Sequence, residues 1–227
     1  VLRISEVRAV AFDLDGVLID TETINVRAAF EGFEAHGYPL DASDAVVIVG
    51  RHPIDYVPDL ARRHAVPESL LPSITRRQSE VYFRRWKEDA RLLDGALEAL
   101  DACRERGYPM ALATSSGRAS VEEALDRFGL RPYFSTTLTK DDVSVRKPDP
   151  EIYLLAAERL GVAPGNLLVL EDSPHGVCSA KGAGAMCVSV AGAEGADLRI
   201  ESLRDLPGLL RGHSAFSSKE SSGKRAR

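Results

Sequence analysis

The sequence predicts an α/β protein: a parallel sheet with helices on both faces, interrupted by a helical insert. Three observations carry this. Val7 to Leu14 is a short apolar run that stops at an acidic, glycine-containing turn, as a buried parallel strand does. From Gly95 onward, helical and strand-like stretches alternate, the pattern of a parallel sheet covered on both sides. Between them, from about Thr21 to Arg91, charged amphipathic segments carry little strand signal, so this stretch reads as helical.

The elements follow in order. RAAFEGFEAHG, IDYVPDLARRHA and SITRRQSEVYFRRWKEDA predict helices in the insert, and Ala45 to Val49 is its one strand-like run. ALEALDACRERG predicts a helix ending at Gly107, followed by the strand YPMALAT. SVEEALDRFG ends at Gly129 and leads into the strand YFSTTL; PEIYLLAAERLG ends at Gly161 and leads into NLLVL. A last pair is the helix PHGVCSAKGAG and the strand AMCVSV. Glycine just past a helix end supplies the left-handed residue that stops it. The final stretch, HSAFSSKESSGKRAR, is rich in Ser, Lys and Arg and reads as a disordered tail.

Composition narrows the function classes. At 227 residues, with 44% apolar side chains, the chain builds a core that needs no disulfides. A net charge of −5 gives no attraction to nucleic acid or to an anionic membrane. No apolar run approaches the ~20 residues of a membrane span, and the first residues lack a basic-then-apolar signal pattern. Cys103, Cys178 and Cys187 form no C-x-x-C pair and read as reduced, packed thiols. The expectation is a cytoplasmic protein, a monomer or weak homodimer, with a small-molecule partner and neither nucleic acid nor membrane.

Four stretches carry chemistry. Asp13-Leu14-Asp15-Gly16-Val17 places two carboxylates two residues apart just after a strand, where side chains at i and i+2 share a direction and where α/β sheets bind ligands. Alone, it reads equally as a solvated acidic turn. Ala113-Thr114-Ser115-Ser116 runs from a strand into hydroxyls and a helix; Ser116 is a candidate N-cap, and a helix N-terminus with hydroxyls suits a phosphate. In Arg146-Lys147-Pro148-Asp149-Pro150, Asp149 is placed to cap a helix and the prolines stiffen the approach of Lys147. Leu167 to Leu170 is a second strand ending in acids, Glu171 and Asp172, whose adjacent side chains diverge and so take unequal parts. A parallel sheet gathers all four at one edge. Carboxylates suit Mg²⁺, while lysine and hydroxyls suit a phosphoryl group, leaving one carboxylate to attack.

In this order, D-L-D-G-V, A-T-S-S, R-K-P-D-P and E-D-S-P-H-G resemble the four motifs of the haloacid dehalogenase superfamily, over about residues 7 to 190. Within it the chain resembles the group containing β-phosphoglucomutase and small sugar-phosphate phosphatases. The resemblance implies a Rossmann-like core of residues 1–19 and 92–212, a helical cap of residues 20–91 that closes over the site, and the tail 213–227 outside both. It makes Asp13 the nucleophile, and Asp15 the acid that protonates the leaving oxygen and then activates the acceptor. Thr114, the Ser115 amide and Lys147 hold phosphate. Mg²⁺ binds Asp13, Asp172 and the Asp15 carbonyl, with Glu171 in the metal site or behind it. Dehalogenases of the superfamily lack an acid at the second position, because halide leaves without a proton, so Asp15 favours phosphoryl transfer.

The cap loop Gly50-Arg51-His52 offers Arg51 and His52 as substrate contacts, reaching a sugar hydroxyl or a second phosphate; it reads equally as a surface loop. Two positions depart from the mutase pattern. Asn25 stands where mutase-like sequences carry His, and Pro53 falls near where a cap arginine aligns. The leading expectation is therefore a Mg²⁺-dependent phosphatase for a small phosphate ester such as a sugar phosphate, and the alternative a hexose-phosphate mutase. A non-catalytic module is disfavoured by the full motif set. A phosphonate-cleaving enzyme needs an imine-forming cap lysine, and the insert's only lysine, Lys87, lies in a charged run.

Overall fold

The computed structural model describes residues 3–49, 51, 53–190 and 192–212. The tail, Gly50 and His52 lie outside the described residues.

β1 (Ala9–Phe12) is wholly buried. Its alternation shows why the sheet is covered twice: Val10 and Phe12 join one apolar core, Ala9 and Ala11 another. The chain then builds four helices, α1 (Glu22–Glu34), α2 (Ala45–Ile48), α3 (Pro53–Arg63) and α4 (Leu71–Asp89). It returns through α5 (Ala96–Glu105), β2 (Met110–Ala113), α6 (Arg118–Arg127) and β3 (Thr136–Leu138). α7 (Glu151–Arg159), β4 (Leu167–Glu171), α8 (Pro174–Gly182), β5 (Met186–Val190), β6 (Leu198–Ile200) and α9 (Leu206–Leu210) complete it.

The six strands are all parallel, in the order β3-β2-β1-β4-β5-β6. The chain winds outward from β1 in one direction, then crosses back to β4 and winds outward in the other. At this reversal a crevice opens beyond the carboxyl ends of β1 and β4. The small Ala face of β1 and β2 packs with α7 and α8 around Tyr153, and the larger face packs with α5, α6 and α9.

The helical insert has a core of its own around Phe33, Tyr56, Leu60 and Ile74. Two chain crossings join it to the sheet, tied by Asp20 N–H to the Arg91 carbonyl (3.0 Å), Leu93 N–H to the Leu18 carbonyl (2.9 Å) and an Arg91–Asp20 ion pair (2.7 Å). Arg127 adds a clamp, donating to the carbonyls of Trp86, Lys87 and Ala90 at the end of α4.

Two expectations are corrected, and one strand is added. Ala45 to Val49 is not a strand: Ala45–Ile48 is a single helical turn. A five-residue apolar run does not distinguish the two by period, and buried Asp44 just before it holds Asp41 N–H (2.8 Å), with Arg63 and His64 beside it. β6 carries too short a pattern to be foreseen. Cys103 and Cys187 are packed as expected, but Cys178 is exposed.

Candidate active site

Register aligns the chemistry. Phe12 is level with both Leu112 and Leu170, so the next residues, Asp13, Ala113 and Glu171, emerge together at one edge of the sheet. They open into a cleft of about 670 Å³ between the sheet edge and the helical insert, lined by Asp13, Asp15, Thr114, Ser115, Lys147 and Asp172.

Lys147 is the hub. Its Nζ donates to Asp13 Oδ1 (2.8 Å), Glu171 Oε1 (2.6 Å) and the Ala113 carbonyl (2.9 Å), and the side chain is only 5% exposed. Burial works against its charge, but Asp13 and Glu171 outweigh that and hold it protonated, with its pKa raised. Asp149 does what the sequence suggested, accepting the Glu151 amide at 3.0 Å at the start of α7.

Glu171 is fully buried, and its two oxygens are filled. Oε1 takes Lys147 and the Tyr153 hydroxyl (2.6 Å); Oε2 takes the amides of Asp172 (3.1 Å) and Ser173 (3.3 Å) and the Ser173 hydroxyl (3.2 Å). Gly176 makes room: a Cβ there would lie 1.9 Å from the Glu171 carboxyl carbon. Asp172 turns the other way, toward Gly16, as adjacent strand residues do. Gly16 has φ +74°, and a Cβ there would lie 1.9 Å from Asp172 Oδ2. The glycines of both acidic motifs are thus set by carboxylates.

Asp15 has different company. Its Oδ2 accepts from the Ser116 hydroxyl (2.6 Å) and the Thr114 hydroxyl (3.4 Å). Ser116 is therefore not the N-cap of α6. The cap is Gly117, and Asp141 accepts the Arg118 amide at 2.8 Å. Burial raises the Asp15 pKa above the ordinary carboxylate value, against the hydroxyl bonds that lower it. Ser115 is exposed in the cleft beside buried Thr114.

The acids fit a divalent cation. Asp13, Glu171 and Asp172 each offer an oxygen within 4.8 Å of the others. Glu171 is already filled by donors, so Asp13 and Asp172 are the side chains left to coordinate. Their protonation points the same way. Burial, with Glu171 and Asp15 nearby, pushes Asp13 up to about 7 despite Lys147. Burial, Glu171 and Asp13 raise Asp172 well above the ordinary carboxylate range. Crowded acids with one ammonium among them need added positive charge to ionise together, and hard carboxylate oxygens suit Mg²⁺.

On the insert side, Arg51 lines the cleft, but its guanidinium is engaged with the Val47 carbonyl (3.2 Å), the Asp55 carbonyl (3.0 Å) and Asp59 (2.6 Å). Asn25, Pro53 and Lys87 also line the cleft. The sequence reading missed Tyr153, which holds Glu171 and lies under the Lys147 ammonium, 4.9 Å from its ring centre. In sequence it is one apolar position of a helix. It also missed Gln78, hidden in a charged amphipathic stretch.

A parallel α/β sheet with paired acids, a buried lysine and a hydroxyl loop at its switch point is an enzyme of the phosphoryl-handling kind. A family model for haloacid dehalogenase-like hydrolases matches residues 7–184. A phosphorylated carbohydrates phosphatase of Thermotoga maritima is 38% identical over 176 residues, covering 78% of this chain and 81% of the relative. A validoxylamine A 7'-phosphate phosphatase of Streptomyces hygroscopicus subsp. limoneus is 35% identical over 205 residues, covering 86% and 92%. The crystal structure of a conserved haloacid dehalogenase-like protein of Agrobacterium tumefaciens str. C58 superposes with a TM-score of 0.79 at 27% identity, covering 91% of this chain and 98% of that one. The chain belongs to the haloacid dehalogenase-like hydrolases and is a phosphoric monoester hydrolase. Among the described residues, no helix is long and apolar enough to cross a membrane.

Proposed function

We propose that the chain hydrolyses a small phosphorylated metabolite, a sugar phosphate, through a phosphoryl group carried on Asp13, with Mg²⁺ as its metal. The observation that carries this reading is the contrast between two carboxyls in one cleft: Asp13 is paired with Lys147, and Asp15 is held by hydroxyls. Two acids pushed into different roles by their surroundings suit a nucleophile and a general acid.

Lys147 holds Asp13 Oδ1, so Oδ2 attacks phosphorus. The bond from phosphorus to the leaving oxygen breaks, and Asp15 gives that oxygen its proton. Asp15, now ionised, takes a proton from water as the water attacks the phosphoryl group, releasing phosphate and restoring Asp13. Thr114 and the Ser115 amide hold the phosphoryl oxygens, and Lys147 offsets their charge. Asp13, Asp172 and the Asp15 carbonyl would hold Mg²⁺, whose positive charge would let a phosphate dianion enter an acidic cleft. Glu171 acts behind the site by fixing Lys147. Residues 20–91 serve as the cap over a core of residues 1–19 and 92–212.

Two relatives, named for phosphorylated carbohydrates and for validoxylamine A 7'-phosphate, support this substrate class. The test is phosphate release over a panel of sugar phosphates with Mg²⁺. Wild type releases phosphate, and Asp13→Asn falls to background; near-wild-type rates in Asp13→Asn remove the nucleophile assignment. The same panel, given hexose 1-phosphate and a bisphosphate primer, yields inorganic phosphate rather than hexose 6-phosphate.

A further inference from the structure

Three insert helices meet in one polar chain at the cleft. Tyr56 of α3 donates its hydroxyl hydrogen to Asn25 Oδ1 of α1 at 2.8 Å, and Gln78 Nε2 of α4 donates to the Tyr56 hydroxyl. Tyr56 is fully buried, Gln78 is 3% exposed, and Asn25 and Gln78 both line the cleft. Gly32 lets α1 and α4 approach closely here, since a Cβ on Gly32 of α1 would lie 3.2 Å from the Gln78 Cβ.

A phenol has one hydrogen to give. Spending it on Asn25 Oδ1 leaves the Asn25 amide nitrogen for another partner. It also obliges Gln78 to present nitrogen, not oxygen, to Tyr56. Gln78 Oε1 then has no hydrogen-bond partner among the described residues and is shielded from solvent. Buried side-chain acceptors left unmet are uncommon, and each asks for an explanation.

Resting on the phosphatase reading above, we infer that Asn25 and Gln78, oriented by Tyr56, form a hydroxyl-binding subsite for the part of the substrate that does not react. A hydroxyl both donates and accepts. It gives its hydrogen to Gln78 Oε1 and accepts from Asn25 Nδ2, completing the chain. Tyr82, Phe83 and Trp86 line the same cleft and offer an apolar face to the C–H side of a sugar or polyol. A site built around a buried polar group rejects analogues that lack the matching hydroxyl. The ester selected here therefore carries a hydroxyl on its non-reacting part, as a sugar or polyol phosphate does.

The experiment compares kcat/KM for sorbitol 6-phosphate, glucose 6-phosphate and hexyl phosphate, the last matching their length without hydroxyls. It uses the full chain with Mg²⁺, as wild type, Gln78→Leu and Tyr56→Phe. The readout is the ratio of the better polyol ester to hexyl phosphate, which does not depend on the fraction of protein folded. Wild type favours the polyol ester. The ratio falls about tenfold or more in Gln78→Leu and by less in Tyr56→Phe, where the loss appears in KM rather than kcat. A ratio that stays within about twofold of wild type in both variants overturns the subsite and leaves the phosphatase reading intact. A wild type that hydrolyses none of these esters, nor any of the broader sugar-phosphate panel, overturns both.

Discussion

At the scale of single residues, the site turns on Lys147 and on the groups that keep it in place. Its ammonium touches Asp13 and Glu171 at 2.8 and 2.6 Å and is almost wholly shielded. Removing one such fixed charge from a closed site costs about 10² to 10³ in kcat, so Lys147→Ala is expected to fall by that factor in a phosphate-release assay. Gly176→Ala separates two opposed effects. Alanine inside α8 gains about 1 kcal/mol of helix propensity. Its Cβ, however, would lie 1.9 Å from the Glu171 carboxyl carbon, and five donors hold that carboxylate still. Overpacking of this kind costs about 1–3 kcal/mol. The expected outcome is a lower denaturation midpoint together with lost turnover; a midpoint at or above wild type shows that Glu171 is free to move.

Elements explain how these residues meet. β1 and β4 are neighbours in register, so one strand end contributes Asp13 while the next contributes Glu171 and Asp172. β2 contributes the hydroxyl loop on the other side of β1. The start of α6 is capped by Asp141, which frees Ser116 to hold Asp15. Between insert and sheet, Arg127 joins α6 to the last turn of α4 through three carbonyls and stacks on Trp86 and Phe128, 5.5 and 5.1 Å from their ring centres. Arg127 is exposed, so water and salt weaken the clamp. Arg127→Met is expected to cost about 1 kcal/mol, read as a lower midpoint in urea. An unchanged midpoint means the clamp adds nothing to stability.

For the whole molecule, the governing fact is electrostatic. The cleft gathers more carboxylates than cations around Asp13, in a protein whose net charge is already −5. A phosphate dianion meets repulsion of roughly 4 kcal/mol per like charge at 4 Å and an effective dielectric of 20. Exhaustive chelation is therefore expected to abolish turnover, and added Mg²⁺ to restore it. The same binding stabilises the fold by about 2.7 kcal/mol at a hundredfold excess over Kd, seen as a higher melting temperature with Mg²⁺ than with chelator. Turnover that survives chelation removes the metal from the mechanism.

The sequence by itself determined the alternation of strands and helices, the parallel sheet, the helical insert and the four motif positions. These are local matters: period, glycine stops, and acids or hydroxyls directly after apolar runs. Tertiary structure decided which of two adjacent acids is filled by donors and which is left toward Gly16, because that depends on Tyr153 and Ser173 bonding Glu171 and on Gly176 leaving room for it. It decided that Ser116 serves Asp15 rather than its own helix, and that Ala45–Ile48 is a turn of helix. It also brought Asn25, Tyr56 and Gln78 together across 53 positions of sequence, from Asn25 to Gln78. Hydrogen-bond partners so far apart leave no periodic trace in the chain, since no local rule sets their spacing; only the packing of α1, α3 and α4 does.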